Sequence, residues 1–117
     1  MASLEVLNRV KNKKVNGFIS ALSVPVLYFL RKLPDREARE KVKKITIGFN
    51  IINLTSEIIE NAMNDTEFND FEDAIQFYSA INANVEIIIT RNKRHFRCVE
   101  NKIKVVTPEE FLEEFKE

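Results

Sequence analysis

Four short apolar runs constrain the fold of this chain more than any other feature of its sequence. They are Phe18–Ala21, Phe49–Leu54, Ile87–Thr90 and Ile103–Val106. Successive runs are separated by more than ten residues. Parallel strands need connections of about that length, usually helical, whereas antiparallel strands can be joined by a tight turn. The spacing therefore predicts an α/β protein with a short, mostly parallel sheet and helices on both of its faces.

Helix-starting signals lie between and after these runs. Capping residues and a chain-breaking proline predict helices that begin near Ser3, Ser23, Arg36, Thr55 or Ser56, and Asn69. Asn69 and Glu72 have the spacing of a capping box, in which two side chains each bond a backbone N–H of the first turn. Thr107–Glu110 combines the same box with proline at the first helical position, the strongest local signal in the chain. Phe111, Leu112 and Phe115 are expected to dock that last helix on the core.

The size of the chain suits one domain. Its 117 residues can build a single core, and we predict one domain over residues 1–117. There is no apolar run of about 18 residues, the length that a membrane-spanning helix needs, and no secretion leader is recognisable. The single cysteine, Cys98, cannot form an internal disulfide. We therefore expect a cytoplasmic protein with no membrane partner.

The formal net charge of zero hides a strong division along the chain. Residues 1–45 carry 11 Lys or Arg and 4 Asp or Glu, residues 46–89 carry no Lys or Arg and 8 acids, and the remainder carries 7 basic and 6 acidic residues. Such asymmetry is typical of nucleic-acid binding or of an acidic partner-binding face. The solvated faces of ordinary helices give the same pattern, so both interpretations remain open.

Two carboxylates stand at the start of the helix predicted after Asn69. Asp70 and Asp73 are three residues apart, so on a helix they lie on neighbouring parts of one face. Near the carboxyl edge of a parallel sheet, such carboxylates can hold Mg²⁺ or Mn²⁺, which prefer oxygen ligands and retain bound water. The alternative is structural, because the helix dipole favours an acid at a helix N-terminus by about 0.3–1 kcal/mol.

A basic cluster follows the third apolar run. It consists of Arg91, Lys93, Arg94, His95 and Arg97. Phosphate backbones favour such clusters because binding releases condensed counterions. We therefore expect these five residues to form a nucleic-acid-binding surface. Phe96 lies among them and could stack on a base of single-stranded RNA, but we expect it to anchor the loop in the core.

The order of these segments resembles the PIN-domain family of metal-dependent ribonucleases, which includes the toxins of many bacterial toxin–antitoxin pairs. The resemblance is carried by residues 70–96, DFEDAIQFYSAINANVEIIITRNKRHF, and by residues 102–112, KIKVVTPEEFL. Upstream, residues 18–23 and 27–32 look like the second strand and the following helix of the family. The resemblance implies a three-layer, Rossmann-like α/β/α fold.

The resemblance also implies roles for individual residues. Asp73 matches the metal-site acid of the family's D-A-[IL] motif, and Asp70 matches the auxiliary acid of the same turn. The implied cofactor is Mg²⁺ or Mn²⁺. Asn92 is expected beside the two aspartates in the catalytic site, although some relatives carry an acid there. His95 also stands where relatives carry an acid, and both substitutions weaken the implied site.

The family opens with a strand that ends in D-[TS]-N and supplies the central metal ligand, and nothing before Phe18 matches it. In the family's strand order, 3-2-1-4-5, this missing strand is the central one. The strands at Phe18–Ala21 and Ile87–Thr90 then lose their shared neighbour, and unpaired apolar edges invite pairing. We expect these two strands either to close on each other in a four-stranded sheet or to pair between chains in a homodimer.

Three functions follow from these expectations. The first is an RNA-cleaving PIN protein restrained by an antitoxin protein, with little or no activity in this chain, because in-line hydrolysis needs a fixed metal ion and an oriented water. The second is a non-catalytic module that binds RNA or protein. The third is a purely structural interaction protein. Metal binding and RNA binding distinguish the three.

Overall fold

A computed structural model describes residues 2–116, with the backbone alone for residues 28–31. The elements in chain order are α1 Ala2–Lys11, β1 Phe18–Ser20, α2 Ser23–Arg31, α3 Asp35–Thr46, β2 Asn50–Ile52, α4 Ser56–Asn64, α5 Phe71–Asn82, β3 Ile87–Ile89, a 3₁₀ helix Lys93–Val99, β4 Lys104–Val106 and α6 Pro108–Glu114. The α/β class predicted from the sequence is confirmed. Each predicted strand is present, shortened to three residues.

The strands pair in parallel, as the spacing of the apolar runs predicted. β1 pairs with β2, with Ile19 opposite Ile51, and β3 pairs with β4, with Ile88 opposite Val105. The prediction that the two pairs close into one four-stranded sheet is wrong, because the described strands form two separate two-stranded sheets. A three-residue strand offers few N–H and C=O groups to a new neighbour, so direct closure would gain few hydrogen bonds. Pairing between two chains stays a prediction.

The chain divides into two compact units. One is Leu7–Leu54, and the other combines Met1–Val6 with Thr55–Glu117. The first contains the sheet β1–β2, and the second contains the sheet β3–β4. The single domain over residues 1–117 stays a prediction.

The unit Leu7–Leu54 is built around a close approach at Gly17. The carbonyl of Gly17 accepts a hydrogen bond from the backbone N–H of Asn50, at 2.8 Å, which extends the pairing of β1 with β2. A Cβ placed on Gly17 would lie 2.7 Å from Cγ1 of Val10 and 3.0 Å from Cδ1 of Phe49. Val10 is buried and belongs to the core of this unit together with Ala38 and Val42. Glycine is therefore required at position 17 by space.

The unit that contains Thr55–Glu117 has its core between α5 and the 3₁₀ helix. Its buried members are Phe77, Ala80, Phe96, Val99 and Ile103. The half-buried Phe68 joins them, with its ring centroid 5.6 Å from that of Phe77 and 5.8 Å from that of Phe96. The predicted core role of Phe96 is confirmed. This packing holds the acidic start of α5 near the basic 3₁₀ helix.

The connection between α4 and α5 is organised by one carboxylate. Oδ1 of Asp65 accepts hydrogen bonds from the backbone N–H groups of Glu67 and Phe68, both at 2.8 Å. Its Oδ2 accepts a hydrogen bond from the Tyr78 hydroxyl at 2.7 Å. Burial alone would raise the pKa of Asp65, but the bonds from Phe68, Tyr78 and Glu67 together lower it. The same contact with Asp65 raises the pKa of Tyr78 to about 12.

The last helix begins as its sequence predicted. The Thr107 hydroxyl accepts a bond from the N–H of Glu110, and the Glu110 carboxylate accepts one from the N–H of Thr107, with Pro108 in the first turn. Phe111 is buried as expected, whereas Phe115 is 41% exposed. The predicted docking by Phe115 is therefore wrong. Phe115 follows Glu114, the last residue of α6. The Phe115 ring lies against the ring of Phe111 and under the Lys104 ammonium instead.

None of the helices in the described part of the chain is both long enough and apolar enough to cross a bilayer.

Replacement of Gly17 by alanine should lower the free energy of unfolding by about 1–3 kcal/mol, because the added methyl overlaps the Val10 side chain. Urea denaturation followed by circular dichroism measures the change. In the double variant Gly17→Ala with Val10→Ala, the overlap is relieved, so its loss should be smaller than the sum of the two single losses. An additive pair would contradict this account of the close approach.

Replacement of Asp65 by alanine should cost about 2 kcal/mol, because three hydrogen bonds to one carboxylate are lost. Tyr78→Phe removes only one of the three and is the matched control, with an expected cost of about 1 kcal/mol. Because the pKa of Asp65 is lowered, the stabilisation that its carboxylate contributes depends on pH. This stabilisation is present above the ordinary pKa of 3.8 and is lost as the pH falls through the folded-state pKa. A gap between wild type and Asp65→Ala that widens toward acid pH would refute this role.

Candidate active site

The two predicted carboxylates lie at the N-terminus of α5. Asp70 is the N-cap, and its Oδ1 accepts a hydrogen bond from the backbone N–H of Asp73 at 3.0 Å. The predicted capping box of Asn69 and Glu72 is therefore wrong by one residue. Aspartate is as good an N-cap as asparagine, and at Asp70 the cap also places a negative charge at the positive end of the helix dipole.

Asp73 lies one turn further into α5 and faces the 3₁₀ helix. Its Oδ2 is 3.2 Å from Nδ1 of His95, with the Asp73 side chain 21% exposed and that of His95 49% exposed. Burial is the main cause that raises the pKa of the Asp73 carboxyl, and the neighbouring charge of Asp70 raises it further, while His95 partly opposes both. The only histidine of the chain is thus a direct partner of the predicted metal-site acid.

The 3₁₀ helix presents its basic residues to solvent for a local reason. Phe96 and Val99 are buried and three residues apart, which matches the three residues per turn of a 3₁₀ helix. With these two side chains in the core, Arg94, His95 and Arg97 are left on the exposed side. The loop predicted from the sequence is therefore a short helix held at its apolar positions.

Acidic and basic residues share one pocket of about 690 Å³. It is lined by Glu67, Asn69, Asp70, Asp73, Arg94, His95, Arg97 and Cys98. The structure thus brings together both predicted carboxylates and three residues of the predicted basic cluster. Glu67, Asn69 and Cys98 were not predicted to belong to it. The turn made by Asp65 brings Glu67 and Asn69 back toward α5, and only that contact could have signalled their position.

Arg91 and Lys93 are directed elsewhere and are held by the first turn of α6. Nη1 of Arg91 donates to both carboxylate oxygens of Glu109, at 3.0 and 3.1 Å, and its Nη2 donates to the Ser3 hydroxyl at 2.8 Å. Nζ of Lys93 lies 3.0 Å from an oxygen of Glu110. Neither Arg91 nor Lys93 lines the pocket. The two glutamates are functional neighbours that the sequence reasoning missed.

Arg94 and Arg97 differ from Arg91 and Lys93 in having no ion pair with any other side chain in the described part of the chain. Both are exposed and both line the pocket. Their cationic groups therefore face solvent without a carboxylate partner among residues 2–116. The basic cluster that the sequence presented as one surface is divided into two pairs of cations with different surroundings.

Asn92 does not join the two aspartates in the pocket. Its N–H donates to the Thr90 hydroxyl at 3.0 Å, and its carbonyl accepts the N–H of His95 at 3.0 Å. Asn92 therefore shapes the start of the 3₁₀ helix through its backbone. A catalytic role for its side chain stays a prediction.

The described donor set does not by itself fit a divalent cation. Mg²⁺ needs near-octahedral oxygen coordination, in which carboxylates hold the ion and waters complete the shell. Each predicted ligand has one oxygen already engaged, that of Asp70 by a backbone N–H and that of Asp73 by His95. Within residues 2–116, no three His, Cys, Asp or Glu side chains are grouped so that they could hold a metal ion. The roles of Asp70 and Asp73 as metal ligands stay a prediction.

Cys98 lines the pocket but lacks the properties of a nucleophile. Burial is the main cause that raises the pKa of its thiol, so the reactive thiolate is disfavoured.

Comparison of the chain with protein families gives a match to a known domain. Residues 1–94 match the PIN domain. No curated protein and no solved structure matches the chain. The matched residues include both aspartates of the pocket and extend to Arg94, whereas β4 and α6 lie outside the match.

Proposed function

Because the chain belongs to the PIN-domain family, a family of nuclease type that generally binds RNA, we propose that it binds single-stranded RNA in the pocket at the start of α5. One observation carries this proposal: Arg94 and Arg97 line the pocket with no ion pair to another side chain of residues 2–116. A cation without an ion pair can bind an RNA phosphate without first breaking an existing contact.

The pocket also offers a surface for a base. His95 is half-exposed and lies between the two arginines in sequence, and an imidazole or guanidinium plane can stack on an unpaired base. Phosphate contacts supply affinity without sequence information, and stacking is tolerant of base identity. We therefore expect binding to single strands with little sequence preference.

We propose that cleavage by this chain is weak or absent. In-line hydrolysis requires an activated water and a group that stabilises the developing charge. Asp73 is the best-placed candidate base, but one of its oxygens is engaged by His95. The family generally uses divalent metal ions, and the described donors of this chain fall short of a metal site. A non-catalytic RNA-binding module is the alternative that these contacts favour.

The wider biology that we propose is that of a toxin–antitoxin toxin. The chain would act in the cytoplasm, where its RNA substrate is found, as a homodimer restrained by an antitoxin protein. The support is the family membership and the division of charge along the chain, in which residues 46–89 carry 8 acids and no Lys or Arg. Such a segment is suited to a basic protein partner.

The double variant Arg94→Ala with Arg97→Ala should weaken RNA binding by about 10-fold or more, and it should reduce the slope of log affinity against log salt by about one to two. Fluorescence anisotropy with a labelled oligouridine measures both quantities. Arg91→Ala with Lys93→Ala removes the same number of charges from the same segment and is the matched control. Because these two cations are held by Glu109 and Glu110, the control should lose much less affinity. Equal losses in the two double variants would argue against the pocket as the binding site.

Purified protein should cleave a fluorogenic single-stranded RNA no faster than its Asp73→Asn variant, with either Mg²⁺ or Mn²⁺ present. There are two reasons. Oδ2 of Asp73 is already in contact with His95. Among the described residues, no group of three metal-ligating side chains includes Asp73. The Asp73→Asn protein, prepared in the same way, reports contaminating nuclease. Metal-dependent cleavage that disappears in Asp73→Asn would establish an active nuclease instead.

A further inference from the structure

The contact between His95 and Asp73 has a consequence for what the pocket can bind. Nδ1 of the His95 imidazole lies 3.2 Å from Oδ2 of Asp73. The second aspartate, Asp70, has its Oδ1 occupied by the N–H of Asp73. A cation that bound Asp73 through Oδ2 would therefore compete with the imidazole.

We propose that His95 takes the place of the divalent cation beside Asp73, so that the pocket binds an RNA phosphodiester through side-chain cations and without a metal ion. This proposal rests on the proposed RNA binding and adds how the phosphate is held. Its ligand is a phosphodiester group of single-stranded RNA. His95 is the residue that distinguishes it from metal-bridged binding.

The charges around the pocket explain why a substitute for a cation is needed. Three acids line it: Glu67 from the turn before α5, Asp70 from the cap and Asp73 from the helix itself. Uncovered carboxylates repel a phosphodiester, and the repulsion is stronger near a protein surface than in bulk water. A bound metal ion commonly relieves it by bridging carboxylate and phosphate oxygens.

The 3₁₀ helix supplies the opposing groups in this chain. Nδ1 of His95 lies 3.2 Å from Oδ2 of Asp73, the more buried of the two aspartates, and Arg94 and Arg97 bring two positive charges to the same pocket. The imidazole thus partners the Asp73 oxygen, and the two arginines supply the positive charge that a metal ion would bring.

The raised pKa of Asp73 agrees with this arrangement. Burial and the charge of Asp70 are its main causes, and His95 opposes both, which is the direction in which a cation would act. A partner that donates a hydrogen bond to Asp73 therefore relieves a charge that its surroundings disfavour. The geometry of the contact, rather than this shift, carries the proposal.

The first part of the test measures metal binding without RNA. Isothermal titration with MnCl₂ should give no stoichiometric binding to the wild-type protein. His95→Asp replaces the imidazole by a third carboxylate and should gain a Mn²⁺ site, and adding Asp73→Asn to it should remove that site. The matched control is His95→Asn, which keeps a neutral hydrogen-bonding side chain at position 95. It should gain no Mn²⁺ site. Thermal unfolding of each variant establishes that it is folded.

The second part measures binding of a labelled oligouridine in EDTA and in MgCl₂. The wild-type affinity should change by less than about twofold between the two at constant ionic strength. His95→Asp should bind about tenfold more weakly in EDTA and recover with Mg²⁺ or Mn²⁺, because the acids then need a bridging ion.

The outcomes separate this inference from the proposed function. Stoichiometric Mn²⁺ binding by the wild type that is lost in Asp73→Asn would overturn it, as would RNA binding that requires Mg²⁺. Folded His95→Asp protein that gains no Mn²⁺ would also overturn it, because His95 would not be what excludes the ion. If the wild-type protein binds no RNA under either condition, both the proposed function and the proposed binding of a phosphodiester are refuted. The Mn²⁺ titrations would then still decide whether His95 holds the place of the cation.

Discussion

The core cluster that contains Phe96 and Phe77, with the ring of Phe68 in contact with both, is the packing on which the pocket depends. Phe96 is buried and lies between His95 and Arg97 in the chain, so its burial turns both neighbours toward solvent. On the other side, Phe77 belongs to α5, four residues after Asp73. One apolar cluster thus positions both the carboxylate and its imidazole partner. Truncating a buried phenylalanine costs about 3–5 kcal/mol, which far exceeds the worth of an exposed ion pair of about 0.2–1 kcal/mol. The position of the charges is therefore set by the core and not by the charges themselves.

Two opposing effects act on Asp73 at the N-terminus of α5. The helix dipole favours a negative charge there and lowers the pKa of an acid. Burial and the nearby charge of Asp70 act in the other direction, and they prevail, since the pKa of Asp73 is raised. Asp70 is exposed and serves as the cap of α5. The contact from His95 is thus made to Asp73, whose charged form is disfavoured by its surroundings.

The sequence predicted the features that are decided locally. The α/β class follows from the spacing of four apolar runs, and the start of α6 follows from Thr107 and Glu110, whose side chains bond backbone groups three residues away. The core role of Phe96 was also predictable, because a phenylalanine among five polar residues has few other uses. The cap of α5 was misplaced by one residue, since Asn69 and Asp70 are both good caps and their difference lies in the turn that Asp65 organises. Local chemistry gives the elements, and longer-range contacts select between equivalent local solutions.

Sheet closure and the partners of the basic residues could not be predicted in this way. Closure of four strands depends on how much two short edges gain from pairing, and neither periodicity nor composition measures that gain. In the sequence, β4 and the 3₁₀ helix that begins at Lys93 lie between the two basic residues Arg91 and Lys93 and their partners Glu109 and Glu110. A signal did exist, because parallel neighbours such as β3 and β4 end at the same edge, and the residues that follow them must lie close together. Applying that rule requires knowing that the two strands are neighbours.

The division of the basic cluster also bears on which cations can meet a phosphate. Arg91 donates two hydrogen bonds to one carboxylate and one to Ser3, so a phosphate must replace all three contacts to recruit it. Arg94 and Arg97 have no such contacts to give up among the described side chains, and their neighbour Phe96 already limits the freedom of the backbone between them. Because less order must be created and no ion pair broken, we expect the same positive charge to contribute more to the free energy of phosphate binding at positions 94 and 97 than at 91 and 93. A dense basic segment can therefore read as one surface in the sequence and act as two in the folded chain.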